Sequence, residues 1–266
     1  MLVDYHLHTN NSFDGKQTID ELCQAAIARG IDEIAITDHM DIFAGKSYGF
    51  ILNCEKTFSD IDLAKDKYRG KLVIRKGIEL GQPMRNPAAY EEFIEEWPLD
   101  FIIGSVHNME NDIDVGEYNY KEIDFSEFFP RYLDCILDFA RNYEFDVLGH
   151  VTYPIRYMIL QTGKKVDPME YQDQFIEIFK AAIARGKGIE LNTSSIARGV
   201  GELMPTIPLL RLYRDMGGEI ITVGSDAHVK SQTGITSKTA NEILKQVGFR
   251  YLTTFENREP IMNLID

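Results

Sequence analysis

The chain has 266 residues, of which 44% are hydrophobic and 11% aromatic, enough for a sizeable core in one large α/β domain or two small ones. Its formal net charge of −14 excludes the basic face that binds a nucleic-acid backbone, while a small phosphorylated ligand held by a few local cations stays possible. No run approaches about 18 apolar residues and the N-terminus shows no basic-then-apolar leader, so the expected setting is soluble, cytoplasmic and free of membrane.

In chain order, Met1–Leu7 reads as a first strand. Thr18-Ile19-Asp20-Glu21 is a capping box that opens a helix with Leu22, Ala25 and Ala26 inward and Gly30 as its stop. Glu33–Asp38 is the second strand, Met40–Asn53 an irregular stretch, and Glu55–Tyr68 a helix. Leu72–Leu80 forms strand three and Pro87–Glu96 a short helix, and strand four ends at His107. Asn108–Ile123 is polar and loop-like. Phe128, Tyr132, Ile136 and Phe139 recur at helical spacing within Phe125–Tyr143. Strand five ends at His150, followed by a second irregular stretch to Val166. Asp167-Pro168 caps a helix that Gly186 stops. Strand six is Gly188–Asn192, strand seven Glu219–Gly224, with helices near Thr206–Met216 and Lys238–Val247. Seven strand–helix units without a composition break imply a parallel sheet in one domain spanning residues 1–266. Closed into a barrel, such units place an active site at the C-terminal strand ends. An open doubly wound sheet is the alternative, but it would use one switch point rather than seven strand ends.

All six histidines fall at those ends: His6, His8, His39, His107, His150 and His228. Imidazole is the commonest nitrogen ligand for zinc-like metals, and a structural role repeated six times at equivalent positions is hard to sustain. His6-Leu7-His8 puts two rings on one face of a strand. Glu79 and Asp226 end strands at the same side, and a carboxylate can bridge two divalent ions. Cys23, Cys54 and Cys135 are odd in number and form no CxxC pair, so they read as structural thiols in a reducing compartment.

The ordered motifs His6-Leu7-His8-Thr9, Thr37-Asp38-His39, Gly77-Ile78-Glu79, Gly104-Ser105-Val106-His107, Gly149-His150 and Gly224-Ser225-Asp226-Ala227-His228 resemble those of the PHP (polymerase and histidinol phosphatase) family. The resemblance implies a distorted (β/α)₇ barrel with two to three divalent ions, zinc, manganese or iron. It implies that His6, His8, Glu79 and Asp226 serve one metal, with Glu79 bridging to a second held by His107 and His150. Asp14, His39 and His228 would serve a third. Many relatives carry a histidine where this chain has Asp14, a departure that bears on metal preference. Asp14 alternatively contacts substrate, supplies a proton, or simply turns the chain with Gly15.

Within the family, Glu190-Leu191-Asn192-Thr193-Ser194-Ser195 with Arg198, and Tyr153-Pro154-Ile155-Arg156, resemble the histidinol-phosphate phosphatases. That implies Arg156 and Arg198 as phosphate contacts, which suits the forked guanidinium. Asn192 would orient substrate or a ligand. The implied reaction is phosphomonoester hydrolysis by a metal-activated hydroxide, with Asp14, His39, Glu79 and Asp226 as the catalytic set. Asp41, Glu110 and Glu117 are candidates for an acidic wall toward a cationic leaving group. Rival readings are another phosphoester substrate, a non-catalytic metal-binding domain, and a metal-dependent deaminase or amidohydrolase.

Overall fold

Strand order follows from the parallel hydrogen bonding of short, fully buried apolar runs. The structure is a computed structural model and describes residues 1–43, 52–109 and 112–265. The strands are β1 (Val3–Asp4), β2 (Glu33–Ile36), β3 (His39–Asp41), β4 (Val73–Gly81), β5 (Phe101–Ser105), β6 (Val147–Leu148), β7 (Gly188–Asn192) and β8 (Ile221–Gly224). They pair in parallel as β1-β2-β4-β5-β6-β7-β8, with β3 continuing the second position beside β4. Tyr5 N–H donates to Val223 O at 2.8 Å and His8 N–H to Ala227 O at 3.0 Å, which joins the last strand to the first. The result is a distorted (β/α)₇ barrel.

The outer helices form where the sequence provides caps and one apolar face. Helix α1 (Ile19–Ala28) starts on the expected box: Thr18 Oγ1 accepts from Glu21 N–H at 3.2 Å, and Glu21 Oε2 accepts from Thr18 N–H at 3.1 Å. Then come α2 (Cys54–Lys67), α3 (Pro87–Glu96) and α4 (Phe125–Asn142), the last burying Phe125, Phe128, Phe129, Tyr132, Leu133, Ile136 and Phe139 along one stripe. Helix α5 (Tyr153–Thr162) occupies a stretch expected to be irregular. Pro154 sits at its start, Gly163 ends it at φ 72°, and its mixed apolar surface hides the helical period. A 3₁₀ turn at Pro168–Tyr171 leads into α6 (Gln172–Ala184), so the Asp167 cap starts a tighter turn than the expected α-helix. The remaining helices are α7 (Ser194–Ala197), α8 (Ile207–Asp215) and α9 (Ser237–Val247).

Two further features depart from the sequence reading. The second strand breaks at Thr37–Asp38, because the Asp38 carboxylate accepts Thr9 N–H at 2.6 Å and Thr9 Oγ1–H at 2.7 Å. The chain then re-enters the sheet at once as β3, whose Met40 and Asp41 open the stretch read as irregular; residues 44–51 of that stretch lie outside the described residues. Beyond Val247 an antiparallel hairpin, β9 (Tyr251–Glu256) and β10 (Glu259–Leu264), closes the N-terminal end of the barrel. Phe255 packs at a tilt on Phe101, with ring centroids 5.0 Å apart, and its N–H donates to the Tyr5 hydroxyl oxygen at 2.9 Å. The hairpin seals one end of the barrel and leaves the opposite end as the open one.

Candidate metal centre

Alternation along the first strand sends Tyr5 and Leu7 into the core and His6 and His8 toward the open end. The β3–β4 register places His39 directly beside Glu79. His6 Nε2 lies 3.1 Å from Glu79 Oε2, and His8 Nε2 lies 3.5 Å from that oxygen and 3.4 Å from Asp226 Oδ1. The other Glu79 oxygen, Oε1, is 3.0 Å from His107 Nε2 and 2.8 Å from His150 Nε2, and the two nitrogens are 3.4 Å apart. Toward the mouth, Asp14 Oδ2 is 2.7 Å from His228 Nε2 and 3.6 Å from His39 Nε2. His8 stacks between His39 and His228, with ring centroids at 4.5 and 4.2 Å. All nine residues named from the sequence converge here, but the clusters able to share an ion cut across the expected sets: His8 joins Asp14, His39 and His228, and Asp41, not named as a ligand from the sequence, joins His39 and His107.

His150 and Asp226 adopt φ of 22° and 52°, conformations that non-glycine residues rarely hold. Hydrogen bonds sustain both: His150 N–H donates to Glu190 Oε2 at 2.9 Å, and Asp226 N–H to His6 O at 2.9 Å. The ring tautomers follow from the partners on the far side. His6 Nδ1 faces Glu190 Oε1 at 2.7 Å, His107 Nδ1 faces Asp41 Oδ1 at 2.8 Å, and His228 Nδ1 faces the Asp226 carbonyl at 2.9 Å. Each Nδ1 is thus the donor, so a cation that displaced the proton from Nε2 would meet a lone pair aimed inward.

The donor set fits divalent cations. Buried His6 Nε2 and both ring nitrogens of His8 have no hydrogen-bond partner, although carboxylate oxygens stand within 4 Å of the two Nε2 atoms. Such a meeting of lone pairs is repulsive without a cation between them. Burial, reinforced by His228 and His39, takes His8 down to about 3, so its ring is neutral and available. Burial alone would raise the carboxyls, but His6, His107 and His39 hold Glu79 well below its usual range, and His6, His8 and His228 do the same for Asp226. Both are anions. His39 goes the other way: burial opposes its charge, yet Glu79, Asp14 and Asp41 raise it to about 10.

Above the cluster lies a cavity of about 680 Å³. Arg156 and Arg198 both reach it but differ in setting. Arg156 is 2% exposed, stacks on Tyr153 and Tyr157 at 4.5 and 5.0 Å, and donates to Ser194 Oγ at 2.9 Å and Tyr157 O–H at 3.1 Å. Arg198 is exposed at the rim. Asn192 lies below the cavity: its Nδ2 donates to Glu190 Oε2 at 3.2 Å, and its Oδ1 accepts from Ser194 Oγ–H at 2.7 Å. Its contacts are with Glu190, with the serine that supports Arg156 and, at 3.5 Å, with Asp226 Oδ2. Asp41 and Glu117 line the cavity, Asp41 being already engaged with His107, and Glu110 lies outside the described residues. The sequence reading missed the Tyr153–Tyr157 pair around Arg156. Their spacing of four across Tyr153-Pro154-Ile155-Arg156-Tyr157 was the available signal once a helix was recognised there.

Residues 4–194 match the PHP domain family, and the chain belongs to that family. A histidinol-phosphatase of Lactococcus lactis is 31% identical over 95% of this chain and 94% of its own length. A probable histidinol-phosphatase of Clostridium acetobutylicum is 30% identical over 90% and 91%. The crystal structure of the Lactococcus lactis histidinol phosphate phosphatase, complexed with zinc, L-histidinol and phosphate, matches with a TM-score of 0.84 over 98% of both chains at 29% identity. A structure from Listeria monocytogenes shares the fold at TM-score 0.76 and 18% identity. No helix among the described residues is long and apolar enough to cross a membrane.

Proposed function

We propose that this chain hydrolyses L-histidinol phosphate to L-histidinol and inorganic phosphate in histidine biosynthesis, using two to three divalent ions, zinc, manganese or iron. The observation that carries the reading is Glu79, whose two oxygens face two separate sets of histidines beneath a cavity flanked by Arg156 and Arg198. His6, His8, Glu79 and Asp226 would hold one ion, Glu79, His107 and His150 a second, and Asp14, His39 and His228 a third. Bound there, divalent ions supply a water acidified from about 15.7 toward 7 and charge neutralisation at phosphoryl oxygens. Arg156 would dock the phosphate dianion with a fixed fork and Arg198 would add charge from the rim. Asn192 holds the serine that supports Arg156. Asp14 or His39 would serve the departing alkoxide with a proton. Free Cys23, Cys54 and Cys135 accord with a cytoplasmic protein, and a contiguous buried core from Val3 to Ile265 with a single domain over 1–266.

L-histidinol is cationic, and Asp112, Asp114 and Glu117 line the same cavity as the candidate ligands, Asp112 being paired with Arg85 at 3.0 Å. Such a wall should favour a cationic leaving group. Purified protein is expected to hydrolyse L-histidinol phosphate with kcat/KM at least about 10-fold above p-nitrophenyl phosphate, about 1.4 kcal/mol of discrimination. The better leaving group of the nitrophenyl ester makes this a demanding comparison. Equal or reversed preference would remove the substrate assignment and leave the phosphatase reading standing.

Metal should also stabilise the fold, because the cluster joins β1, β3, β4, β5, β6 and β8 around the open end. At free metal 1,000-fold above Kd, binding adds about 4.1 kcal/mol. Chelation is then expected to lower Tm by about 10 °C, at the few degrees per kcal/mol typical of this chain length. A Tm indifferent to chelator, with zinc demonstrably removed, would show that these side chains do not share an ion.

A further inference from the structure

Glu190 belongs to none of the ligand groupings, yet it touches two of the candidate ligand residues, His6 and His150. It lies mid-strand in β7, 1% exposed, below the cavity. Its Oε1 is 2.7 Å from His6 Nδ1. Its Oε2 accepts from His150 N–H at 2.9 Å and from Asn192 Nδ2–H at 3.2 Å, and that same Nδ2 stands 3.5 Å from Asp226 Oδ2. Among the described residues no lysine or arginine lies within ion-pair distance of Glu190, and its ionic partner is His6. Space has been cleared for it: a Cβ on Gly224 would fall 2.1 Å from Glu190 Oε1 and 2.4 Å from His6 Cβ. An isolated buried carboxylate is costly unless its hydrogen bonds and its counter-charge are both supplied.

We infer that Glu190 is a positioning residue for the metal centre: it locks His6 with Nδ1 protonated and Nε2 aimed inward, and pins the strained His150 backbone with its other oxygen. The inference rests on the metal reading above. A carboxylate behind a ligating imidazole fixes the ring and raises its basicity, and removing such a partner typically weakens metal binding 10- to 100-fold. Here one carboxylate serves both sides of Glu79, since His6 faces Glu79 Oε2 and His150 faces Glu79 Oε1. Glutamine is nearly isosteric but cannot repeat the pattern. Turned to accept from His6, its amide nitrogen would meet two donors, His150 N–H and Asn192 Nδ2.

The test compares zinc-loaded wild type and Glu190→Gln in competition with a graded chelator series. Tm of the chelator-stripped proteins reports packing, and visible spectra of the cobalt-substituted proteins report ligand geometry. Expected are a 10- to 100-fold weaker hold on zinc in Glu190→Gln, an altered cobalt spectrum, and stripped-form Tm values within about 3 °C of each other, the shift for roughly 1 kcal/mol in a chain this long. Equal zinc retention with an unchanged spectrum would overturn the inference, as would weaker retention matched by a large fall in the stripped-form Tm. Wild type that holds no zinc would remove the metal reading itself, whereas equal retention by both proteins removes only the role of Glu190. His6→Ala with Glu190→Gln gives a second route. If Glu190 acts on the His6 side of the centre through that ring, adding Glu190→Gln to His6→Ala should cost far less zinc affinity than it costs in wild type. A full additional loss would overturn that part.

Discussion

Glu79→Ala is expected to lower kcat/KM for L-histidinol phosphate at least about 1,000-fold, about 4 kcal/mol of transition-state stabilisation, and to reduce bound metal by more than one ion per chain. Glu79 Oε2 faces His6 and His8, while Oε1 faces His107 and His150, so its removal opens two groupings at once. It also leaves Ser105 Oγ, which donates to Oε1 at 2.7 Å, without its acceptor. Elemental analysis of protein purified without chelator, beside steady-state kinetics, checks both parts. Full metal content with intact kcat/KM would refute the bridging role, and loss of one ion only would reduce Glu79 to a terminal ligand. His228→Ala, at the outer grouping, should do less damage than Glu79→Ala in the same assay.

Arg156→Ala should lower kcat/KM about 100-fold or more with metal content unchanged, while Arg198→Ala should lower it only about 10-fold. A charge-assisted contact to phosphate is worth about 1.5–3 kcal/mol, and the upper end belongs to groups that are buried and held in place. Arg156 is held by two tyrosine faces and by Ser194, so it meets the anion without first losing side-chain freedom. Arg198 is exposed at the rim, where water and salt screen its charge. Arg156→Lys should recover little, because an ammonium cannot reproduce the planar fork or the double stack. Equal effects of the two alanine substitutions would show that the burial of Arg156 confers no advantage in binding. Raising salt from low to high ionic strength offers an independent check, since it should erode the Arg198 contribution before that of Arg156.

Much of this molecule is visible in local sequence. The capping box at Thr18–Glu21, the apolar stripe of α4 and the run Gly188–Asn192 each depend on neighbours within one element, and each folds close to where its pattern places it. The histidines and the carboxylates Glu79 and Asp226 were legible for a related reason, while Asp14 came only from the family resemblance. In a parallel barrel every strand points the same way, so residues at strand ends meet whatever their separation along the chain. Helix α5 was obscured because it is short and apolar on several sides, which removes the contrast on which periodicity depends.

The hairpin at the chain's end marks the boundary between the two kinds of information. Residues Tyr251–Leu264 lack the Asn-Gly pair that announces a tight turn; the turn is made by Asn257 and Arg258 at φ of 50° and 69°. A non-glycine residue accepts that conformation only when its surroundings impose it. Here Arg258 N–H donates to Asp100 O at 3.0 Å and its Nε to Asp146 Oδ2 at 2.5 Å, partners more than 100 residues away. The same holds at the centre. The sequence by itself determined the parallel strand–helix order, the end of the barrel that carries the chemistry and the residue types gathered there, since these follow from short-range pattern and strand direction. Only the tertiary structure decided that Glu79 faces two sets of histidines with separate oxygens, that Arg156 is caged while Arg198 is exposed, and that Glu190 stands behind His6. Those distinctions are distances of about 3 Å between side chains on different strands, set by register and packing, which no local pattern encodes.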